Sequence, residues 1–318
     1  MRSIYRANPL NIICLIVGLI GLLALPYFLG TFVIFLLSLL AIYSLVSIGL
    51  NLLMGYTGQI SAGHAGFLAI GAYFTAIVSS RAEWLPCLVV LLFAGLFTGA
   101  IGFLLGIPVL RLKGFYIAMA TLAFGVVVSD IILHWATLTG GDDGLGVPSA
   151  TIASITFDTP IRLYYLIISI TILLTILANN LVRGYIGRAF VALRESEVAA
   201  QTIGVDIAKY KTIAFAISAF YTGVAGGLFA YLITYLSPDA FTLELSIDFI
   251  AMIVIGGLGS IAGSIIGAVI LTGMQQTLAG LQDLQVFIFG LALIVFMILM
   301  PRGITGMLGA LKQRFFQS

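Results

Sequence analysis

The sequence predicts an all-α polytopic membrane protein of about ten transmembrane helices with both termini in the cytoplasm. Three observations carry this. The chain is 61% hydrophobic and 8% charged over 318 residues, whereas soluble domains carry about 25% charged residues. Apolar stretches of the roughly 20 residues needed to cross a bilayer recur along its whole length. They leave no room for a separate soluble domain, so 1–318 reads as one membrane domain. Third, the basic residues gather on alternate loops, as the positive-inside rule requires.

The spans fall at about 10–29, 31–54, 62–80, 85–107, 115–138, 161–182, 212–236, 247–280 and 285–301. The first follows Arg2 and Arg6 and has the outline of a signal peptide. Its run is long and a second span follows almost at once, so it reads as a retained helix. Cys14 and Cys87 lie in or beside apolar spans without disulfide or metal spacing, and read as small core residues. With the N-terminus inside, the inner loops carry Arg111, Lys113 and the segment 183–211. The outer loops carry Arg81, Glu83, Asp142, Asp143, Asp158, Arg162, Asp239 and Glu244. The tail (Arg302, Lys312, Arg314) is basic, yet nine single crossings would leave it outside. The conflict resolves if 247–280, broken by GGLGS at Gly256–Ser260, enters and leaves on the outer side. That gives ten membrane helices, or eight plus a re-entrant pair. It also places 12 of the 14 basic residues inside, with Asp248 read as a helix-start residue at the outer surface.

Two glycine-rich segments interrupt this pattern, Gly55–Tyr73 and Gly256–Ile270. Gly259, Gly263 and Gly267 recur every four residues, as do Gly58, Ala62 and Gly66, and each set makes a flat ridge for close helix packing. The segments align at an offset of 201 residues, which suggests two related halves. Irregular backbone at this depth is tolerated only where protein buries it or where it lines a cavity.

The longest charged stretch, 183–211, holds Arg183, Arg188, Arg194, Lys209, Lys211, Glu195, Glu197 and Asp206. Ionised side chains are costly at mid-membrane, so this stretch lies outside the bilayer. Within it, 189–203 reads as a short helix stopped by Gly204, with Asp206 as N-cap of the next.

Few residues offer chemistry. Asp130 and His134 stand i, i+4 on one helix face, and serve either transport or a structural or wetted pair near the outer loop. His64, beside Ser61 and Gln59, either lines a pathway or hydrogen-bonds to broken-helix backbone. The turn at 137–148 holds the adjacent acids Asp142 and Asp143 and either contacts a partner or is simply solvated. There is no G-x-x-x-x-G-K-[ST] motif, histidine metal pair, nucleophile elbow, arginine ladder or T-V-G-Y-G filter. Neither an enzyme nor a cofactor is expected in this chain, and a net charge of +2 gives no reason to expect nucleic acid.

These residues resemble a known family. MGYTGQISAGHAGFLAIGAY (54–73), LRLKGFYIAMATLAFG (110–125), TGGDDGLGVP (139–148), GRAFVALRESEVAAQTIGVDIAKYK (187–211) and the run 235–270 are similar to LivM-type permeases. These belong to bacterial and archaeal ABC importers for branched-chain amino acids; the family also includes urea and amide permeases. The resemblance covers nearly the whole chain. It implies a type II-like importer permease of about ten helices in the plasma membrane, like the vitamin B12 permease. It implies a homologous LivH-like permease as partner, two cytoplasmic ATPases and an extracytoplasmic solute-binding protein.

In that fold the charged stretch is the coupling helix. Phe190, Leu193 and Ile203 would pack into an ATPase groove, and Arg188, Arg194, Glu195 and Glu197 would orient it through exposed ion pairs. Gly187→Trp or Glu195→Lys would then uncouple transport without preventing insertion. The acids Asp142, Asp143, Asp239 and Glu244 would receive the binding protein. Substrate would cross at the interface with the partner permease, along the first glycine-rich segment and the fifth span, with Gln59, Ser61, His64, Asp130 and His134 as pathway candidates. The motifs do not separate amino acids from urea. The rival class is an ion-coupled secondary transporter, with Asp130/His134 as its one candidate ion site; a channel is a more distant third.

Overall fold

The computed structural model describes residues 25–307 apart from 28, 111, 113, 153–154, 279, 281–282 and 300–302. The span expected at 10–29 lies almost wholly outside the described residues, as do Arg111, Lys113 and the basic tail. Eleven helices matter here: α1 (Thr31–Thr57), α2 (His64–Arg81), α3 (Cys87–Val109), α4 (Phe115–His134), α5 (Pro160–Arg183), α6 (Tyr185–Glu195), α7 (Glu197–Thr202), α8 (Ile207–Ile233), α9 (Leu243–Gly256), α10 (Ile261–Leu278) and α11 (Asp283–Leu299).

Six of these, α1, α3, α4, α5, α8 and α10, are long and apolar enough to cross a membrane, among the described residues. Together with the mostly helical architecture this makes the chain a multi-pass membrane protein. The outward faces of α3 and α5 expose Leu92, Phe93, Phe103, Leu104, Leu173 and Leu177, a surface that only lipid or another apolar chain would cover.

Helix ends follow local chemistry. Pro160 opens α5, where its missing N–H costs nothing. Asp206 caps α8, its Oδ1 accepting from the Lys209 N–H at 3.0 Å. Gly204, at φ +85°, ends the helix before it in the left-handed conformation. The core forms around α8, which packs between α1, α2 and α3. Contact with α2 is backbone to backbone: a Cβ on Gly71 would stand 2.2 Å from the Gly223 carbonyl, and one on Gly226 2.2 Å from that of Leu68. Small residues replace the missing hydrophobic drive between helices in lipid by letting backbones approach.

The ridge expected at Gly259, Gly263 and Gly267 is present in part. Cβ atoms on Gly263 and Gly267 would collide with the Gly256 and Met252 carbonyls, so α10 folds back tightly on α9 as a hairpin. Gly259 belongs to the turn itself, at φ +76°. Gly58 likewise ends α1 at φ +75° and packs on no helix ridge, while Gly66 lies against Gly125 of α4. Both glycines depart from the expectation for one reason: a helix break needs a left-handed residue, which only glycine adopts without cost.

Side chains link the breaks to one end of the bundle. Arg194 of α6 reaches Gly55 near the end of α1, and Thr305 Oγ1 donates to the Gly256 carbonyl at 2.9 Å. The opposite end holds the acidic loops. There β1 (Leu145–Gly146) pairs antiparallel with β4 (Tyr235–Leu236), beside a small hairpin of β2 (Thr151–Ile152) and β3 (Ile155–Thr156). Asp142, Asp143, Asp158, Asp239 and Glu244 are exposed at this end. Asp248 is no helix-start residue: Thr242 caps α9, and Asp248 lies a turn further in, accepting from Gln275 Nε2 of α10 at 2.8 Å.

Candidate functional site

The expected helix 189–203 is two helices, α6 and α7, divided at Ser196. Ser196 is extended, and its Oγ accepts the Ala199 N–H at 3.2 Å; a capping serine starts a new helix more readily than it continues an old one. The pair forms a compact charged knob. One face of α6 enters the bundle, where Phe190 is wholly buried and Leu193 nearly so, so neither can pack into a partner. Helical spacing showed an apolar face without showing which body it meets. The apolar side chains that project furthest are Val198 and Ile203, each 74% exposed.

The polar residues are corrected likewise. Among the described residues Arg194 forms no ion pair: its Nη1 donates to the Gly55 carbonyl at 2.8 Å. Glu197 pairs within the chain, at 2.6 Å from Nζ of Lys211, whose side chain is only 6% exposed. Arg188 reaches the Arg183 carbonyl at 3.5 Å, and Glu195 is exposed. A Cβ on Gly187 would stand 2.0 Å from the Val182 carbonyl, so tryptophan there would break the corner between α5 and α6 rather than merely uncouple it.

Behind the knob lie the two breaks, 58–63 and 257–260. Each leaves helix-end donors and acceptors without intrahelical partners, and side chains from distant helices satisfy them. At the first, Thr121 Oγ1 of α4 accepts the Ala62 N–H and Ser246 Oγ of α9 accepts that of Ala65, both at 3.0 Å. At the second, buried Asn51 of α1 is the clamp. Its Oδ1 accepts the Gly259 N–H at 2.8 Å, and its Nδ2 donates to Ser264 Oγ at 2.7 Å, the Ser260 carbonyl at 2.9 Å and the Gly257 carbonyl at 3.3 Å. The sequence reading missed Asn51. A lone amide within the apolar run of α1 was the signal available.

Gln59, Ser61 and His64 are buried in the protein interior, among the described residues. His64 bridges Ser61 Oγ at 3.2 Å and Ser218 Oγ of α8 at 2.7 Å, tying the first break to α8. Gln59 Nε2 donates to Thr57 Oγ1.

A groove of about 410 Å³ opens beside them, within the range of about 300–1,000 Å³ common for small-molecule sites. It runs from Pro238 and Asp239 in the acidic-end loop, along Gly125, Ser129 and Asp130 of α4, to Ala62 and Gly66 at the first break. Its walls mix apolar residues with the polar side chains of Ser129, Asp130, Asp239, Thr242 and Ser246. Asp130 thus lines the groove, while its i, i+4 neighbour His134, with Nδ1 at 3.3 Å from Asp130 Oδ1, stands on the exposed rim with a side chain 72% accessible.

Comparison with known proteins adds to this geometry. Residues 32–297 match the family described as branched-chain amino acid transport system / permease component. The chain is 34% identical over 297 residues to the high-affinity branched-chain amino acid transport system permease protein LivM of Escherichia coli K12, covering 85% of this chain and 69% of that one. It is 26% identical to LivH, a permease protein of the same name and organism, covering 83% of this chain and 91% of that one. A probable LivM of Methanocaldococcus jannaschii is 24% identical over 71% of this chain and 75% of its own length. No solved structure matches.

Proposed function

Because this chain belongs to the branched-chain amino acid transport permease family, we propose that it is the membrane-spanning permease subunit of an ATP-driven importer for these amino acids. The observation that carries the reading is the layout of the bundle. A substrate-sized groove descends from the acidic end to a helix break, and a charged knob rests on that break from the other side.

The chain crosses the membrane ten times, with α9 and α10 as separate short crossings, and both termini are cytoplasmic. The basic knob then faces the cytoplasm, as the positive-inside rule favours. The groove is one half of the pathway, and a LivH-like permease supplies the other half. One of two cytoplasmic ATPases docks on the knob at Val198 and Ile203, and the other docks on the partner permease. A solute-binding protein delivers substrate to the acidic end, where Asp142, Asp143, Asp239 and Glu244 attract basic groups on its surface. Hydrolysis belongs to the ATPases; this chain catalyses no reaction and moves cargo. The apolar part of the groove suits an aliphatic side chain, and Asp130 and Asp239 on its wall suit an α-ammonium group, which urea lacks.

Co-expression with a LivH-like permease, the ATPases and a binding protein, followed by ATPase assay in lipid discs, tests this. The expected result is a stable complex stimulated by loaded binding protein with leucine or valine. A chain that purifies alone and moves solute down an ion gradient would overturn it, and direct attention to Asp130 and His134.

A further inference from the structure

The geometry points to Arg194 as a positioning residue that makes both helix breaks move with the knob. The inference rests on the permease reading above and assigns the part of the chain that transmits the ATPase movement inward.

Arg194 lies in the last turn of α6 and is exposed as a whole, yet one nitrogen of its guanidinium reaches the end of α1. Nη1 donates to the Gly55 carbonyl, in the last turn of α1, where the macrodipole is negative and a cation is favoured. A Cβ on Gly58, the residue that starts the first break, would lie 3.7 Å from the Arg194 Cα. A Cβ on Gly259, in the second break, would lie 2.8 Å from the same Nη1 and 3.3 Å from the Gly55 carbonyl. One side chain therefore touches both breaks, and a side chain at Gly259 would meet the guanidinium in addition to straining the left-handed turn.

Gly58 and Gly259 are 201 residues apart in sequence and adopt φ of +75° and +76°. The two breaks are therefore locally alike at their left-handed glycines, and Arg194 stands between them. Asn51 joins them from the membrane side, clamping 257–260 onto α1. The knob itself is stiffened at its other end by the Glu197–Lys211 pair, which ties α7 to α8. A push on Val198 or Ile203 thus reaches α1 and the α9–α10 hairpin through two links that share Gly55: the Arg194 hydrogen bond and the packing of Gly259 against it.

Arginine suits this role better than lysine. Its planar fork offers several donors in fixed directions, so it can hold a carbonyl and pack flat against a glycine at once.

The test uses the whole complex in lipid discs and reads the ratio of ATPase rate with loaded binding protein to the rate without it. Arg194→Gln should lower that ratio about tenfold or more, within the range typical of inter-site coupling. Arg194→Lys, which keeps the cation without the fork, should fall between. In parallel, spin labels at the exposed positions Val191 and Leu258 report whether knob and second break move together. In the parent complex their separation should stay constant between nucleotide states; in Arg194→Gln it should change. A Gln variant with the parent ratio, or one in which both rates fall in parallel, would overturn the assignment. So would a parent separation that changes with nucleotide. If the Gln variant does not assemble, the Lys variant decides: a reduced ratio supports the role and the parent ratio refutes it. Failure of the permease reading looks different, because the parent complex itself would then show no stimulation.

Discussion

Replacing Asn51 with alanine removes the side chain that holds the second helix break against α1. Four hydrogen bonds end on it, of 2.7, 2.8, 2.9 and 3.3 Å. Not all are lost without substitute, since the Ser260 carbonyl still accepts from the Ser264 hydroxyl at 3.2 Å. The Gly259 N–H and the Gly257 carbonyl do lose their Asn51 partner. A buried group left unsatisfied costs about 1–3 kcal/mol, and measured hydrogen bonds between membrane helices run from about 0.6 to 1.7 kcal/mol. Two such groups therefore cost about 2 kcal/mol together, a fall in Tm of about 4–8 °C at the 2–4 °C per kcal/mol usual for chains of this order of size. The assay is thermal unfolding of the purified protein in one detergent, with Ser38→Ala as control. Ser38 lies on the same helix and bonds only the Ile34 carbonyl one turn back, so its loss should be near neutral. Asn51→Asp should melt lower still than Asn51→Ala, because it sets an acceptor against two carbonyls. Should Asn51→Ala melt with the parent, or Asn51→Asp exceed it, the clamp would be refuted.

Other expectations follow from the same contacts. Gly267→Ala should separate α9 from α10, because the new Cβ would lie 1.8 Å from the Met252 carbonyl; Gly273→Ala, with open space around it, should not. Expression yield and Tm of the two variants make the comparison. Val198→Asp with Ile203→Asp should abolish co-purification of the ATPase that docks on this chain while leaving the chain's own Tm unchanged, whereas Phe190→Asp should prevent folding. Glu197→Gln should cost about 1–2 kcal/mol of stability, read as a small fall in Tm, since it leaves the Lys211 ammonium buried without its acid while Glu197 itself is 44% exposed and partly screened. A membrane-impermeant maleimide added to intact cells should label Asp142→Cys and not Val198→Cys; the reverse pattern would invert the orientation.

Much of the fold was legible because lipid constrains sequence strongly. The predicted edges of α2, α3, α5 and α11 fall within about two residues of the observed ones, and GGLGS does mark the turn between α9 and α10. Asp206 and Gly204 act as cap and stop because their roles depend only on nearby backbone. What the sequence could not show was direction. Phe190 and Leu193 announced an apolar face, but whether it met this chain or a partner depended on where the bundle passed. Arg194 looked like a surface charge because its acceptor, the Gly55 carbonyl, lies 139 residues away. His64 and Asn51 were indistinguishable from pathway or core residues until Ser218 and the second break were brought beside them. The groove has the same origin: its two walls, at 62–66 and 238–246, are distant in sequence and are brought together only in the folded chain, by the Ala65–Ser246 hydrogen bond and by packing against α4.

The most direct test of the account is leucine uptake into proteoliposomes holding this chain, its partner permease and the two ATPases, with the binding protein outside and ATP sealed inside. The account predicts uptake that requires both ATP and binding protein and that collapses in the Arg194→Gln complex. Uptake that proceeds without ATP, or that follows a proton or sodium gradient, would contradict it.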